Sequence, residues 1–372
     1  MYNNYSIAVV AFYEASIGGH GAAEVTLSFY ESLKDFQKKK LFEIKKYKIF
    51  KFFESIKINI FENIFKLIYL LNLNFKIIKY LNKSKKNIVI LEGASWIGYI
   101  YITIKVIKFF KPETIFIYHS HNIEFYLRKN KNILIVALLT KILERKVFKI
   151  ANISTVVSEI DQKEIRKLYK LDAVVLNNGV NKKRLITEKF KKNTPRKFII
   201  FSGSYSFAPN RISIDFIIKK IFPTIIKKYP DIKLVITGRD FPVEKYKDYK
   251  FIHYYGNLKK KYLNYLILKS KFVLAPMFKS TGTKLKIIEA LMLGALIITS
   301  REGKKGIKLP KKINPPFVFG KYNDVYKLIN KIIKNNVFLK KKSKKNIRFF
   351  VKNYNMEDIV KKFLREQNSR IT

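Results

Sequence analysis

Ser280-Thr281-Gly282-Thr283-Lys284-Leu285-Lys286-Ile287-Ile288-Glu289-Ala290, running on to Gly294, is the stretch on which the fold turns. It follows a short apolar run at 272–275 and Pro276, so it reads as strand, glycine-bearing loop and helix. Gly282 lets backbone approach a ligand closely. The free N–H groups near Thr283 and Lys284 face an anion at the helix N-terminus, and Lys284 adds a full positive charge there. Glu289 comes one to two turns later among Ile287, Ile288, Ala290 and Leu291, where a carboxylate needs a partner. A ribose diol supplies two hydroxyl donors; Lys284 or Lys286 on the same helix supplies the other solution.

Working outward, short apolar strands alternate with helices along most of the chain. Strands are predicted at 6–13, 87–94, 114–118, 153–157 and 173–176, then at 197–202, 233–237, 251–255, 272–275 and 295–299. This is the pattern of parallel sheets covered by helices on both faces. It pauses at 177–196, a polar, turn-rich stretch with Asn178-Gly179 and Pro195. The expected organisation is an α/β chain with two Rossmann-like doubly wound domains facing a cleft. Residues 1–180 form the first domain, 181–196 a linker, 197–354 the second domain, and 355–372 a C-terminal helix. The end of the chain reads as a Lys-rich helical tail.

Residues 34–86 break the alternation. Aromatic and aliphatic residues mix there with lysines at near-helical spacing, which predicts a basic amphipathic insertion able to lie in a membrane interface, or helices packed on the first domain. The whole chain carries a formal net charge of +49, which favours anionic surfaces. The excess is mostly Lys beside abundant Ile, Asn, Phe and Tyr, so genome composition accounts for part of it. With no cysteine, disulfides and thiolate chemistry are excluded. The sequence shows no secretory signal and no uncharged run long enough to span a bilayer, so a soluble or peripheral cytoplasmic protein is expected.

Two further features sit where doubly wound folds place ligands, beyond the carboxyl ends of strands. Gly18, Gly19 and Gly21 follow the first strand and open a helix, a loop suited to a phosphate or an acceptor, or an ordinary turn. His119 and His121 follow the third strand, positioned to bond a sugar hydroxyl or to pack on a neighbouring loop. Arg211 and Arg239 follow strands of the second half and could face a diphosphate, although surface arginines are common.

The order of these pieces resembles the group-one (family-4-like) glycosyltransferases of GT-B fold. The resemblance rests on Gly18-Gly19-His20-Gly21, Tyr118-His119-Ser120-His121-Asn122, Val157-Ser158-Glu159, Asn177-Asn178-Gly179-Val180, Phe201-Ser202-Gly203-Ser204, Leu234–Arg239 and the Ser/Thr-Gly-Thr-Lys-Leu-Lys-x-x-Glu-Ala stretch. It implies that Glu289 binds the nucleotide ribose, with Thr281, Gly282, Thr283, Arg211 and Arg239 around the donor, and that His121 and Lys284 are catalytic. Many members carry a second Glu where this chain has Thr281, which leaves sugar recognition open. The resemblance implies transfer, with retention, from a nucleoside diphosphate sugar to a glycan or lipid-linked acceptor in cell-surface glycan biosynthesis, and an anionic membrane surface as partner. It needs no metal or cofactor, because a helix N-terminus and Lys284 can hold the leaving diphosphate. A GT-B sugar-nucleotide epimerase would show several carboxylates converging on the sugar. A basic nucleic-acid-binding protein would show a recognised motif with aromatics on its binding face, and specific nucleic acid is not an expected partner.

Overall fold

The computed structural model describes the chain except for residues 1–4, 17–20, 45–58, 82–85, 95–96, 130–133, 191, 279–283, 308–316, 321, 335–346 and 372; side chains at 59–66, 317–319 and 322–323 are also outside the description. Two compact units result. The first comprises Met1–Asn177 with Ile359–Thr372, the second Asn178–Asp358.

In the first unit, β1 (Tyr5–Ala11), β2 (Lys38–Glu43), β3 (Lys86–Glu92), β4 (Ile115–Ser120), β5 (Ile153–Val156) and β6 (Val174–Val175) form one sheet. Its order is β2-β1-β3-β4-β5-β6 and every neighbouring pair is parallel. The helices used below are α1 (Gly21–Ser32), α2 (Asn59–Leu81), α3 (Ile97–Phe110), α4 (Glu124–Lys129), α5 (Leu134–Ile150) and α6 (Glu159–Tyr169). Every residue of β1 is buried, as expected of a central parallel strand covered on both faces. The core on one face of this sheet joins Val10, Val89, Leu91 and Phe116 to Leu73, Ile77, Ile100, Ile104 and Val147 of the helices.

The second unit repeats the design. β7 (Phe198–Ser202), β8 (Lys233–Thr237), β9 (Ile252–Tyr254), β10 (Val273–Ala275), β11 (Ile297–Ser300) and β12 (Phe317–Phe319) run in the order β12-β11-β10-β7-β8-β9, again all parallel. Helices α7 (Ala208–Phe216), α8 (Lys260–Lys269) and α9 (Leu285–Leu293) flank it, and α10 (Met356–Glu366) follows near the chain end. Both sheets reverse direction of growth at their first strand. The switch points, between β1 and β3 and between β7 and β10, are where a doubly wound sheet opens a crevice for a ligand.

Three segments differ in part from what the sequence predicts. Within 34–86 the described residues belong to the first unit, as the reading of helices packed on it expected, with an unexpected strand: 38–43 supply edge strand β2, and α2 packs Leu70, Leu73, Ile77 and Leu81 into the core. Lysines suit an edge strand, where they leave only Phe42 fully buried. The tail is not wholly helical, because Phe317–Phe319 add strand β12. The described residues of 181–196, expected as a linker, belong to the second unit: Phe190 is buried in its core, and Asn264 Nδ2 donates to the carbonyls of Arg184 and Ile186 at 2.9 Å each.

Candidate functional site

The second unit's switch point is built by close backbone contact. Gly203 N donates to Thr237 O at 2.8 Å, joining the ends of β7 and β8. A Cβ on Gly238 would lie 2.4 Å from Gly203 O, so glycine is required there by space as well as by its φ of 125°. Behind this joint sits Lys286. Its ammonium donates to Ser202 O at 2.9 Å and Asn210 Oδ1 at 2.7 Å, and lies 4.7 Å from the Phe201 ring centre. Burial pushes its pKa down to about 8, with repulsion from Lys284 acting in the same direction and the attraction of Glu289 opposing both.

Helix α9 opens directly beyond this point. Lys284 is its N-cap residue and is buried, and Gly294 closes it in the left-handed conformation with φ 85°. The face Ile287, Ile288, Ala290 and Leu291 is fully packed, which carries Glu289 into the interior at 8% exposure. Its carboxylate is met by Lys260 Nζ of α8 at 2.5 Å. The cation supplied to Glu289 therefore comes from a neighbouring helix, while Lys286, a candidate partner on the same helix, is turned toward β7. Arg211 and Arg239 are both exposed, Arg211 in the first turn of α7 and Arg239 just after β8. Thr281, Gly282 and Thr283 lie outside the described residues.

The first unit carries a buried polar cluster at its own switch point. Glu92 ends β3 with no exposure to solvent. His119 Nδ1 lies 3.2 Å from its Oε1, and His121 Nε2 lies 2.6 Å from its Oε2. An ionised carboxylate only accepts, so both rings donate through these nitrogens. Thr26 of α1 donates a third hydrogen bond to Oε2 at 2.8 Å, and its own oxygen lies 2.7 Å from the Tyr13 hydroxyl. Burial alone would push the Glu92 carboxyl up; the charges and hydrogen bonds of His119 and His121 overrule it and hold the group well below the usual carboxylate range. Gly93 allows this closeness, since a Cβ there would sit 2.7 Å from the Tyr118 ring and 2.9 Å from His119 O.

The loop after His121 is anchored by a second buried carboxylate. Glu144 of α5 accepts from the Glu124 and Phe125 N–H groups at 2.8 and 3.1 Å, and from the Tyr169 hydroxyl at 2.6 Å. It thus caps the N-terminus of α4 from outside. Sequence reading singled out His121 but missed Glu92 and Glu144. The available signal for Glu92 was an acidic residue closing an otherwise apolar strand, Asn87-Ile88-Val89-Ile90-Leu91-Glu92. Of the glycine loop, Gly21 is exposed at the start of α1, and Gly18 and Gly19 lie outside the described residues.

Glu92, His119 and His121 are also the group among the described residues that could each offer a metal ligand atom, these atoms lying within 4.8 Å of one another. Both oxygens of Glu92 already accept hydrogen bonds, while the buried His119 Nε2 has no hydrogen-bond partner among the described residues.

Residues 196–334 match the family model described as glycosyl transferases group 1. No curated protein matches the chain by sequence. Among solved structures the chain is similar to Alr3699/HepE of Anabaena in complex with UDP and glucose, with TM-score 0.68 and 12% identity over 98% of this chain and 100% of that one. It is similar to a glycosyltransferase from Rickettsia africae, with TM-score 0.66 and 14% identity over 100% of both chains. It is also similar to a UDP-forming α,α-trehalose-phosphate synthase from Burkholderia xenovorans, with TM-score 0.69 and 8% identity over 99% of this chain and 100% of that one. At such identities the likeness is one of fold.

Proposed function

We propose that the protein is a glycosyltransferase that moves a sugar from a nucleoside diphosphate sugar to a glycan or lipid-linked acceptor with retention, in building cell-surface glycan, a reading supported by the match of residues 196–334 to the group 1 glycosyltransferase model and by the GT-B fold. The observation that carries the donor reading is the start of α9. A buried lysine caps the helix and a buried carboxylate follows within two turns, beside the β7–β10 switch point. UDP accompanies the Anabaena structure, which makes uridine the first base to test.

In the proposed reaction the bond between the anomeric carbon and the diphosphate oxygen breaks. The acceptor hydroxyl oxygen bonds the same carbon, and its proton passes to the departing diphosphate oxygen. Charge grows on the leaving diphosphate, where Lys284 and the α9 N-terminus stabilise it without a metal. Glu289 accepts from the ribose hydroxyls, and Arg211 and Arg239 add positive charge nearby. His121, oriented by Glu92, serves the reacting sugar, and the loop of Gly18, Gly19 and Gly21 serves the phosphate or acceptor. The protein works at the cytoplasmic face of a membrane, which its charge favours. Among the described residues no helix is long and apolar enough to cross one.

The test is release of nucleoside diphosphate from UDP-, GDP-, dTDP-, ADP- and CMP-sugars (CMP for the last), with and without an extracted lipid acceptor. Release from one donor, accelerated by the acceptor, is expected. No release from any donor would overturn the reading.

A further inference from the structure

Helix α5 faces outward in two chemically different halves. Leu134, Ile135, Leu138, Leu139 and Ile142 are each at least half exposed, with Ile135 at 74%. They repeat at helical spacing, so they form one stripe rather than scattered surface residues. The same face then continues as Arg145, Lys146 and Lys149, all exposed. The opposite face, Ala137, Thr140, Glu144, Val147 and Phe148, is buried against the unit. The apolar half is thus left over after the core has been filled.

Placement follows from topology. The helix α5 returns the chain from β4 to β5, so it runs back along the sheet from the carboxyl end. Glu144 caps α4 immediately after the His121 loop, and Leu134 lies ten residues earlier, about 15 Å further along the helix axis. The apolar half therefore stands at the end of the unit that carries Glu92, His119 and His121.

Charge decides what covers it. On α2, α3 and α5, every exposed charged side chain among the described residues is basic, including Lys76, Lys79, Lys105 and Lys108. The acidic residue of α5, Glu144, is fully buried. Apolar side chains continued on the same helix face by exposed cations complement an anionic lipid surface: the stripe enters the acyl boundary while Arg145, Lys146 and Lys149 remain among headgroups.

We propose that the N-terminal half of α5 is the element with which this protein inserts into an anionic membrane, bringing the His121 end of the first unit to the lipid surface. The inference deepens the lipid-side reading of the acceptor and rests on that reading for its purpose, but vesicle binding is measured with no sugar present.

The experiment is flotation with vesicles of phosphatidylcholine and phosphatidylglycerol at about two to one, in low salt and in about 1 M salt, where the Debye length falls to about 3 Å. Wild type is compared with an Ile135→Gln, Leu138→Gln, Leu139→Gln variant, with single Ile135→Gln, and with Leu268→Gln in the second unit as an exposed apolar control. Gln keeps helix propensity, and the positions are exposed, so melting temperatures should match. The expected result is that wild type and the Leu268 control float in both salts. The triple variant should bind roughly tenfold or more weakly and lose its high-salt fraction, with the single variant between. Equal flotation of triple variant and wild type would overturn the proposal. So would a wild type that does not float but elutes as a dimer broken by the triple substitution, since α5 then packs on a second copy. Donor cleavage by the triple variant in detergent-free solution should equal wild type, so loss of activity and loss of membrane binding are separate readings.

Discussion

His121 Nε2 lies 2.6 Å from Glu92 Oε2, and the carboxylate has no exposure to solvent. A charge held this far from water persists only when its acceptors are filled, and here His119, His121 and Thr26 fill them. Glu92→Gln keeps the shape but replaces an ionic acceptor by a neutral one. It should cost about 1.5–3 kcal/mol of stability at neutral pH. Because the folded Glu92 carboxyl is held below its ordinary value of 4.5, its contribution is complete above that pH and is lost as pH falls below it. Denaturant midpoints for wild type and variant should therefore converge on acidification. Parallel curves down to the acid limit would show that Glu92 is not ionised in the fold.

Lys286 gives a test of the same sign in a separate, alkaline pH window. Its folded pKa is lowered from 10.5 to about 8, so the folded state carries a protonated amine at a cost that disappears as the proton leaves. The unfolded chain binds more protons between about pH 8 and 10.5, and stability from this group rises with pH in that window. Relative to Lys286→Met, wild type should gain at most about 1.4 kcal/mol per pH unit there. A stability difference independent of pH would place the ammonium in solvent instead.

Retention of configuration is tested by proton NMR of the early product. A product whose anomeric coupling matches that of the donor is expected. An inverted product would remove the retaining assignment while leaving the fold and donor site untouched.

Both sheets were legible because buried parallel strands are short continuous apolar runs bounded by turns, as in Ile88–Leu91 and Leu234–Ile236. Strand β2 was hidden because Lys38-Lys39-Lys40-Leu41-Phe42-Glu43 reads as charge, and only its edge position makes that composition workable. Glu289 was found through local sequence, the charged residue inside an apolar helix. Its partner Lys260 was not, since nothing local links α8 to α9 across 29 residues. Glu92 was missed for the same reason: the three elements that converge on it are set by sheet order.

In the proposed function, Glu289 and the start of α9 hold the nucleoside diphosphate. The direct measure of that role is calorimetric titration of the donor's nucleoside diphosphate into wild type, Glu289→Gln and Lys260→Met, with melting curves alongside. Lys260→Met controls for the ion pair, because it removes the same 2.5 Å contact from the other side. Glu289→Gln is expected to weaken binding by about 1.5–3 kcal/mol, well beyond the effect of Lys260→Met, with both variants folded. Equal affinity in wild type and Glu289→Gln would contradict that role and return the carboxylate to a partner for Lys260 alone.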